Sequence, residues 1–323
     1  MKRGIWVFLT IAGMVILGAI VFFSVKGFLK VPASLASNST KHRLTALPQY
    51  KPTNPPQHKL ASQSATSYFG YTAHIFTNAQ GISLHYYLYI PAHYNPQQKY
   101  PLVLLLEGGG ERSRPNYTAA QNQALILNDP YVQVWSADYN APGNPHIQQR
   151  WPCFVVVPQM SISQQWVNTP IHNGSYLQPA QPSTPLLLTK EVLDTLQQEY
   201  TSIDANRLYV TGLSNGGYGT WDAIERWPGY FAAAAPIAGA GDPSKAAVLK
   251  DLPIWAFHGS ADPVIPVSGS RDMIAAIEAV GGHPQYTEFP GAGHGVWVYV
   301  YSLNDSSERV TNFFPWLFSQ HRS

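Results

Sequence analysis

Cysteine, charge and N-terminal acidic residues are scarce in this chain. Its 323 residues contain one cysteine, Cys153, so an intrachain disulfide and a cysteine-rich zinc site are excluded. Charged residues make up 12%, well below the usual share in soluble proteins. Residues 1–67 hold eight Lys and Arg but no acid, which leaves 12 basic against 18 acidic residues in 68–323. This mildly acidic body gives no electrostatic basis for nucleic-acid binding.

One long apolar run, residues 5–25, carries no charge at all. As a helix it would rise about 31 Å, enough to cross a hydrocarbon core of about 30 Å. A cleaved signal peptide has a shorter apolar stretch of about 7–15 residues. We therefore expect residues 1–30 to form an uncleaved membrane anchor for an exported protein. The alternative is secretion after cleavage near Ser34-Leu35-Ala36, which has the small residues of a cleavage site.

The next segment, residues 31–67, carries five prolines and many Ser, Thr, Gln and Asn residues. This composition cannot bury enough apolar surface to fold, so it predicts a disordered linker. The folded catalytic domain is expected to occupy residues 68–323.

The body of the chain alternates strand and helix patterns. Residues 82–90 alternate apolar and polar side chains, and residues 71–77 form a plausible hairpin partner across the turn at 78–81. Short, continuously apolar runs are typical of strands covered on both faces; they occur at 101–106, 154–157, 207–211 and 253–257. Helical patterns lie at 186–199, 217–226, 268–280 and 308–319. The order predicts an α/β fold: a mostly parallel central sheet with helices on both faces and an N-terminal antiparallel hairpin.

The sharpest chemical motif is Gly212-Leu213-Ser214-Asn215-Gly216, placed between a predicted strand and a predicted helix. Glycines two residues before and after the serine allow the sharp turn of a nucleophile elbow, which projects the hydroxyl from the sheet edge. The following helix directs its N-terminal N–H groups to the same point. Ser214 is therefore the expected nucleophile, and an inert glycine turn is the alternative.

A serine nucleophile needs a base and an orienting carboxylate, which follow it in the order acid then histidine in such folds. Asp262 comes soon after the strand at 253–257 and is the expected acid, with Asp242 as its rival. His294 lies between glycines in a predicted loop and is the expected base; His258, at a strand end, is expected to be packed there. No histidine spacing is typical of a metal site, so no metal is expected.

An oxyanion hole requires two N–H donors that face the developing negative charge. The backbone of Asn215 is one expected donor, because it follows the nucleophile. The other is expected from residues 107–110, here called the glycine loop, with Gly109 preferred and Gly110 as the alternative.

Together these motifs resemble the α/β-hydrolase superfamily. The similarity spans about 82–320 and includes PLVLLLEGGGERS, CFVVVPQ with Trp166, GLSNGGYGTWDAIERWPGYFAAAAPIAG, DLPIWAFHGSADPVIPV and TEFPGAGHGVW. The nearest group is that of bacterial esterases often called predicted peptidases, near feruloyl-esterase and polyhydroxybutyrate-depolymerase-like enzymes. The resemblance implies Ser214 as nucleophile, Asp262 as acid and His294 as base.

Two positions depart from that family's usual pattern. Glu107 stands where the family has a histidine, and Ser113 stands where it has a glycine. Both flank the glycine loop. Glu107 is expected either to alter the geometry of this loop or to fix it through a pair with Arg112 or Arg114.

The segment at 107–153 is expected to cover the site and to determine specificity. Trp166 and Trp297 are the expected substrate contacts, able to stack on an aryl or sugar group; packing in the core or lid is the alternative for such aromatic side chains. The absence of a long apolar lid helix argues against a triglyceride lipase.

The sequence thus predicts a serine carboxylesterase that uses an acyl-enzyme intermediate and no cofactor. Its expected partners are a small or polymer-linked ester and, through the N-terminal helix, the membrane. A serine peptidase, an acyltransferase and a tethered non-catalytic binding domain stay open as alternatives. The sequence leaves the oligomeric state undetermined.

Overall fold

The computed structural model describes residues 61–62, 68–141, 144–303 and 306–322. In these parts, nine strands form one sheet in the order β1-β2-β3-β5-β4-β6-β7-β8-β9. The strands are β1 (Ala61–Ser62), β2 (Tyr71–Thr77), β3 (Ser83–Tyr89), β4 (Tyr100–Leu106), β5 (Phe154–Gln159), β6 (Ile203–Leu213), β7 (Ala233–Ile237), β8 (Trp255–Gly259) and β9 (Gln285–Phe289).

The first strands are antiparallel and the rest of the sheet is parallel. β2 and β3 pair in register from Tyr71 opposite Tyr89 to Thr77 opposite Ser83, which confirms the predicted hairpin. The side chain of Asn78 closes their turn by accepting two backbone N–H groups. β3 then pairs antiparallel with β5, whereas every pairing from β5 through β4 to β9 is parallel. The predicted mixed α/β sheet is confirmed.

Both faces of the sheet are covered. Successive residues of β4 alternate between the two hydrophobic clusters, as the strand period of two requires: Leu104 lies in one and Leu105 in the other, and both are fully buried. The first cluster takes apolar side chains from α4, α5 and α6, and the second takes them from α1, α2, α3 and α8. The predicted apolar runs are thus strands buried on both faces.

The helices connect consecutive strands or close the second face. They are α1 (Ala119–Leu127), α2 (Pro130–Gln133), α3 (Ile147–Arg150), α4 (Thr184–Glu199), α5 (Asn215–Arg226), α6 (Ser268–Ala279), α7 (Trp297–Val300) and α8 (Phe313–Ser319), with a 3₁₀ helix at Pro243–Leu249. The closing helix begins at Phe313, five residues later than the predicted start at 308. The amide of Val310 donates to the carbonyl of Tyr299 instead, which keeps the preceding segment out of the helix.

The predicted anchor at 1–30, and nearly all of the predicted linker, lie outside the described residues. Within the ranges that the structure describes, no helix combines the length and apolar character that a membrane span requires.

Candidate active site

Ser214 occupies the turn between β6 and α5 with an unusual backbone. Its φ of 55° and ψ of −117° lie outside the regions that non-glycine residues normally adopt. The turn is also too tight for side chains at its glycines: a Cβ on Gly212 would lie 2.5 Å from the carbonyl oxygen of Gly216, and one on Gly216 would lie 2.1 Å from that of Leu106. The two glycines of the motif are therefore required by close backbone contact, and the serine is held at the sheet edge.

Three predicted side chains meet at this edge. The Oγ atom of Ser214 lies 2.8 Å from Nε2 of His294, and Nδ1 of His294 lies 2.7 Å from Oδ2 of Asp262. The residues follow the ends of β6, β8 and β9, parallel strands of which β8 and β9 are adjacent and β6 is separated from β8 by β7 alone. The structure thus brings Ser214, His294 and Asp262 into one continuous hydrogen-bonded chain.

Asp262 is fixed on both of its oxygens. Its Oδ1 atom accepts the backbone N–H groups of Val264 and Ile265 at 2.8 and 3.0 Å, and its side chain is buried. Burial by itself raises the pKa of this carboxyl, but hydrogen bonds from two histidines and two backbone amides outweigh it, so the pKa lies well below its ordinary value. The group is therefore a carboxylate at neutral pH.

The second of those histidines is His258. It is fully buried, as predicted, and its Nε2 atom lies 3.3 Å from Oδ2 of Asp262 and 3.1 Å from the carbonyl oxygen of Ile265. Its Nδ1 atom lies 2.8 Å from the hydroxyl of Ser270 on α6. Sequence reasoning assigned His258 no role beyond packing, and the spacing of four residues to Asp262 was the available signal for this contact.

The rival acid, Asp242, lies elsewhere. Its Oδ1 atom accepts the amide of Ser244 at the start of the 3₁₀ helix, and its Oδ2 atom accepts the amide of Gln178. Asp242 is therefore a helix cap that also ties down a loop.

The glycine loop, residues 107–110, is held from three directions. The indole N–H of Trp166 donates to the carbonyl of Glu107 at 2.9 Å, and Nε of Arg112 donates to the carbonyl of Gly109 at 2.9 Å. The backbone N–H of Trp166 donates to Oδ1 of Asn215 at 3.0 Å, which links the loop to the start of α5. As the first residue of α5, Asn215 has a backbone N–H that no carbonyl of that helix accepts.

Trp166 does not face a substrate, contrary to the expectation from the sequence. It is fully buried, and its indole N–H already donates to the carbonyl of Glu107. It also packs closely on α5, since a Cβ added to Gly219 would lie 2.7 Å from the Cβ of Trp166. Trp297 differs: it is half-buried, and its ring lies edge-on to the imidazole of His294 with centroids 5.3 Å apart. Of the two expected contacts, only Trp297 lies beside the triad with part of its surface open.

Glu107 does not pair with either predicted arginine. Its Oε1 atom accepts the backbone N–H of Met160 at 2.7 Å. Arg112 directs its guanidinium to backbone carbonyls, and Arg114 donates to the hydroxyl of Tyr117. The expected ion pair is therefore wrong: the carboxyl accepts a backbone amide, and both arginines bond to other groups.

The segment at 107–153 contributes more to the core than to a site surface. Tyr131, Trp135 and Tyr139 are buried in the second hydrophobic cluster, and Trp151 stacks on Phe318 of α8. The packing alternative therefore holds for most of its aromatic side chains.

A groove of about 490 Å³ lies along the segment on either side of Trp166. Uncharged polar side chains dominate its lining, among them Ser163, Gln165, Asn168, Thr169 and Thr184. The same segment accepts two hydrogen bonds from Arg112, through the carbonyls of residues 162 and 164. Neither the glycine loop nor the triad contributes a residue to the lining of this groove.

Several known proteins are similar to this chain. The model of the prolyl oligopeptidase family matches residues 189–249, a stretch that includes Ser214. A solved structure of a thermostable esterase is 37% identical, with a TM-score of 0.65 over 79% of this chain and 64% of that one. The feruloyl esterase module from Clostridium thermocellum, 18% identical, has a TM-score of 0.53 over 83% of this chain and 96% of that one, a likeness of fold alone.

Two curated relatives are far longer than the matched region. A bifunctional acetylxylan esterase/xylanase of Neocallimastix patriciarum is 24% identical over 60% of this chain and 24% of its own length. An uncharacterized secreted protein of Arthroderma benhamiae is 30% identical over 26% of this chain and 12% of its own length. The mixed sheet, the elbow and the chain order Ser, Asp, His agree with the family and structure matches, and the chain has the α/β-hydrolase fold.

Proposed function

We propose that this chain is a serine carboxylesterase. The observation that carries the proposal is the unbroken hydrogen-bonded chain from the hydroxyl of Ser214 through His294 to a buried Asp262. A serine hydroxyl is a weak nucleophile on its own and is activated by a base that a third group orients. The similarity to a thermostable esterase favours esters among the possible acyl substrates.

In the first step, Nε2 of His294 takes the proton of Ser214 while Oγ attacks the ester carbonyl carbon. The carbonyl oxygen becomes an oxyanion, which accepts hydrogen bonds from the backbone N–H groups of Asn215 and Gly109. His294 then gives its proton to the departing alcohol, which leaves an acyl-Ser214. In the second step, His294 takes a proton from water, the resulting hydroxide attacks the acyl carbon, and the acid leaves as Ser214 regains its proton.

Asp262 orients the base through both steps. With Nδ1 of His294 donating to Asp262, the lone pair of Nε2 faces Ser214, which is the tautomer that a general base requires. Because the pKa of Asp262 is lowered, the carboxylate stays ionised and stabilises the imidazolium that forms in each step.

We assign the substrate to esters linked to carbohydrate or aryl groups. The groove around Trp166 offers amides and hydroxyls without charge, which suits a neutral polyhydroxylated group. Trp297, half-buried beside His294, supplies an apolar face of the kind that packs on rings. The relative named as a bifunctional acetylxylan esterase/xylanase supports the same class.

A serine peptidase acting on short peptides is the second candidate, and the match to the prolyl oligopeptidase family favours it. A non-catalytic binding domain would have no reason to activate one serine.

The test uses the full chain, its Ser214→Ala form and Ser319→Ala, a control serine exposed on α8. Each protein meets a fluorophosphonate probe, p-nitrophenyl and feruloyl esters, and a peptide anilide. We expect labelling and ester turnover that vanish only in Ser214→Ala, with kcat/KM far higher for esters than for the anilide. Preferred cleavage of the anilide would establish the peptidase. A folded wild type that takes no label would refute the enzyme and favour a non-catalytic binding domain.

Export and the domain division belong to the same proposal: an anchor at 1–30, a linker at 31–67 and a catalytic domain at 68–323. The name of the secreted relative supports export, while the charge-free run at 5–25 supports retention of the anchor. Fractionation followed by N-terminal sequencing separates the two forms. A membrane-bound chain that keeps residues 5–25 is expected, and a soluble chain that starts near residue 37 would show cleavage instead.

A further inference from the structure

The carboxyl of Glu107 is buried, and only one of its two oxygens has a hydrogen-bond partner among the described residues. Its side chain is fully buried, and Oε1 accepts the amide of Met160 at 2.7 Å. Among the described residues its Oε2 atom has no hydrogen-bond partner. An ionised carboxylate with an unpaired, solvent-free oxygen is costly, and such a group normally takes up a proton instead.

The groups around Glu107 do not supply a compensating positive charge. Tyr87 and Tyr131 lie near it, and the carboxyl of Glu111 adds a second acid, with Asp129 close to Glu111. The charge of Arg112 acts on Glu107, but its guanidinium is bonded to backbone carbonyls. Burial raises the pKa of Glu107 most, the amide of Met160 lowers it, and the net pKa lies well above the ordinary value.

Glu107 also stands at the base of the glycine loop. Its own carbonyl accepts the indole of Trp166, and the next residue, Gly108, packs so closely that a Cβ there would lie 2.9 Å from Oε2 of Glu111. The carbonyl of Gly109 is held by Arg112. The carboxyl therefore joins the end of β4, through Met160, to the segment that carries Trp166.

We propose that Glu107 is an uncharged carboxylic acid and a positioning residue for the glycine loop. Its carbonyl oxygen fixes the loop to the amide of Met160, and its proton removes a negative charge from the base of the loop that carries the proposed oxyanion donor Gly109. A charged group here would oppose the oxyanion, since like charges repel strongly in a buried site. The catalytic part of this inference rests on the proposed function, whereas the protonation state does not.

The protonation state is tested by stability, independently of any activity. Glu107→Gln keeps an oxygen for Met160 but cannot ionise. Below the unfolded pKa of about 4.3 the Glu107 carboxyl is neutral in both the folded and the unfolded wild type. Above that pH the unfolded wild type loses a proton that the folded wild type keeps. The unfolding constant of the wild type therefore rises, relative to that of the Gln form, by about tenfold per pH unit. Urea unfolding from pH 5 to pH 8 measures this gap.

Glu278→Gln, at an exposed position on α6, serves as the control for exchanging a carboxyl for an amide. Glu107→Met, also neutral, is a second variant should the first fail to fold; it leaves the Met160 amide without an acceptor but should show the same pH slope. A constant gap from pH 5 to pH 8 in either Glu107 variant would mean that the native carboxyl is ionised, and would overturn the proposal.

The positioning role is tested by kinetics on the p-nitrophenyl ester. Glu107→Gln should keep kcat within about threefold of wild type, because charge and acceptor are both preserved. Glu107→Met should lose about tenfold or more in kcat with a smaller change in KM, because the loop is no longer held in place. A folded Gln form that loses kcat as strongly as the Met form would refute the neutral acid. If the wild type hydrolyses nothing, the proposed function fails while the stability test still decides the protonation state.

Discussion

Replacing Trp166 by phenylalanine tests whether this side chain holds the glycine loop or contacts substrate. Phenylalanine keeps an aromatic ring but lacks the indole N–H that donates to Glu107 over 2.9 Å. A buried carbonyl that loses its donor costs about 1–3 kcal/mol. The missing part of the indole leaves a cavity that costs about 1–2 kcal/mol more, because Trp166 is fully buried. We therefore expect the free energy of unfolding to fall by about 2–5 kcal/mol.

The kinetic consequence should appear in kcat. The lost hydrogen bond acts on the loop that would hold the oxyanion, and an interaction made only in the transition state lowers kcat and kcat/KM together. We expect kcat to fall about 10-fold to 100-fold with KM nearly unchanged. Ester hydrolysis and urea unfolding measure both effects. Trp297→Phe is the matched control, and its half-buried ring should change KM more than stability.

The opposite pattern would refute this reasoning. A Trp166→Phe form with unchanged stability and kcat but a raised KM would behave like the loss of a substrate contact. The side chain would then have to leave its buried position to contact the substrate, and its hydrogen bond to Glu107 would contribute neither to stability nor to kcat.

Three further substitutions probe the neighbouring contacts. Asp262→Asn should lower kcat by about 10³-fold to 10⁴-fold, because the imidazole loses its orienting carboxylate. Since the pKa of Asp262 is lowered in the folded state, the stability that its carboxylate contributes is complete above the unfolded pKa of about 3.9 and is lost as the pH falls below it. The difference in free energy of unfolding between wild type and Asp262→Asn, measured in urea, should therefore be smaller at pH 3 than at pH 7. Gly219→Ala places a Cβ 2.7 Å from Trp166 and should cost about 1–3 kcal/mol despite the helix preference of alanine, whereas Gly295→Ala, with open space around it, should not. Arg112→Lys cannot reproduce three bonds to carbonyls and should lower kcat about tenfold without a matching loss of stability, measured on the same esters and by thermal unfolding.

The features that could be predicted from the sequence are those determined by local patterns and by the order of the strands. The hairpin followed from alternation and a glycine turn, and its register from Tyr71 to Thr77 agrees. The elbow followed from glycines that flank Ser214, and close backbone contacts explain why both are needed. The meeting of Asp262 with His294 followed from strand order, because the carboxyl ends of neighbouring parallel strands share one edge. The catalytic roles of these residues stay a prediction until Ser214→Ala is assayed.

The parts that sequence reasoning missed depend on contacts between distant segments. Trp166 lies in a polar, proline-rich stretch that gives no sign of burial, yet it packs against α5 and reaches Glu107, 59 positions earlier. Pairing with an arginine was one of two expectations for Glu107, and its carboxyl instead accepts the amide of Met160, 53 positions later. Propensity and spacing describe one segment at a time, so neither could indicate which donor the fold would place beside a buried acceptor.

The two parts of the site are therefore determined in different ways, one by local backbone geometry and the other by contacts between segments. The half around Ser214 is determined by a tight turn whose glycines leave no other conformation, and any chain with that strand-turn-helix would present the hydroxyl in the same way. The half around Gly109 depends on contacts with a distant segment: Trp166 and the amide of Met160 bond to Glu107 from 59 and 53 positions away, and only the bond from Arg112 to Gly109 is local. Substitutions far from the triad should therefore disturb the glycine loop before they disturb the nucleophile. Trp166→Phe, Arg112→Lys and Glu107→Met would then still react with a fluorophosphonate, only more slowly, whereas changes at Gly212 or Gly216 would abolish labelling by breaking the turn itself.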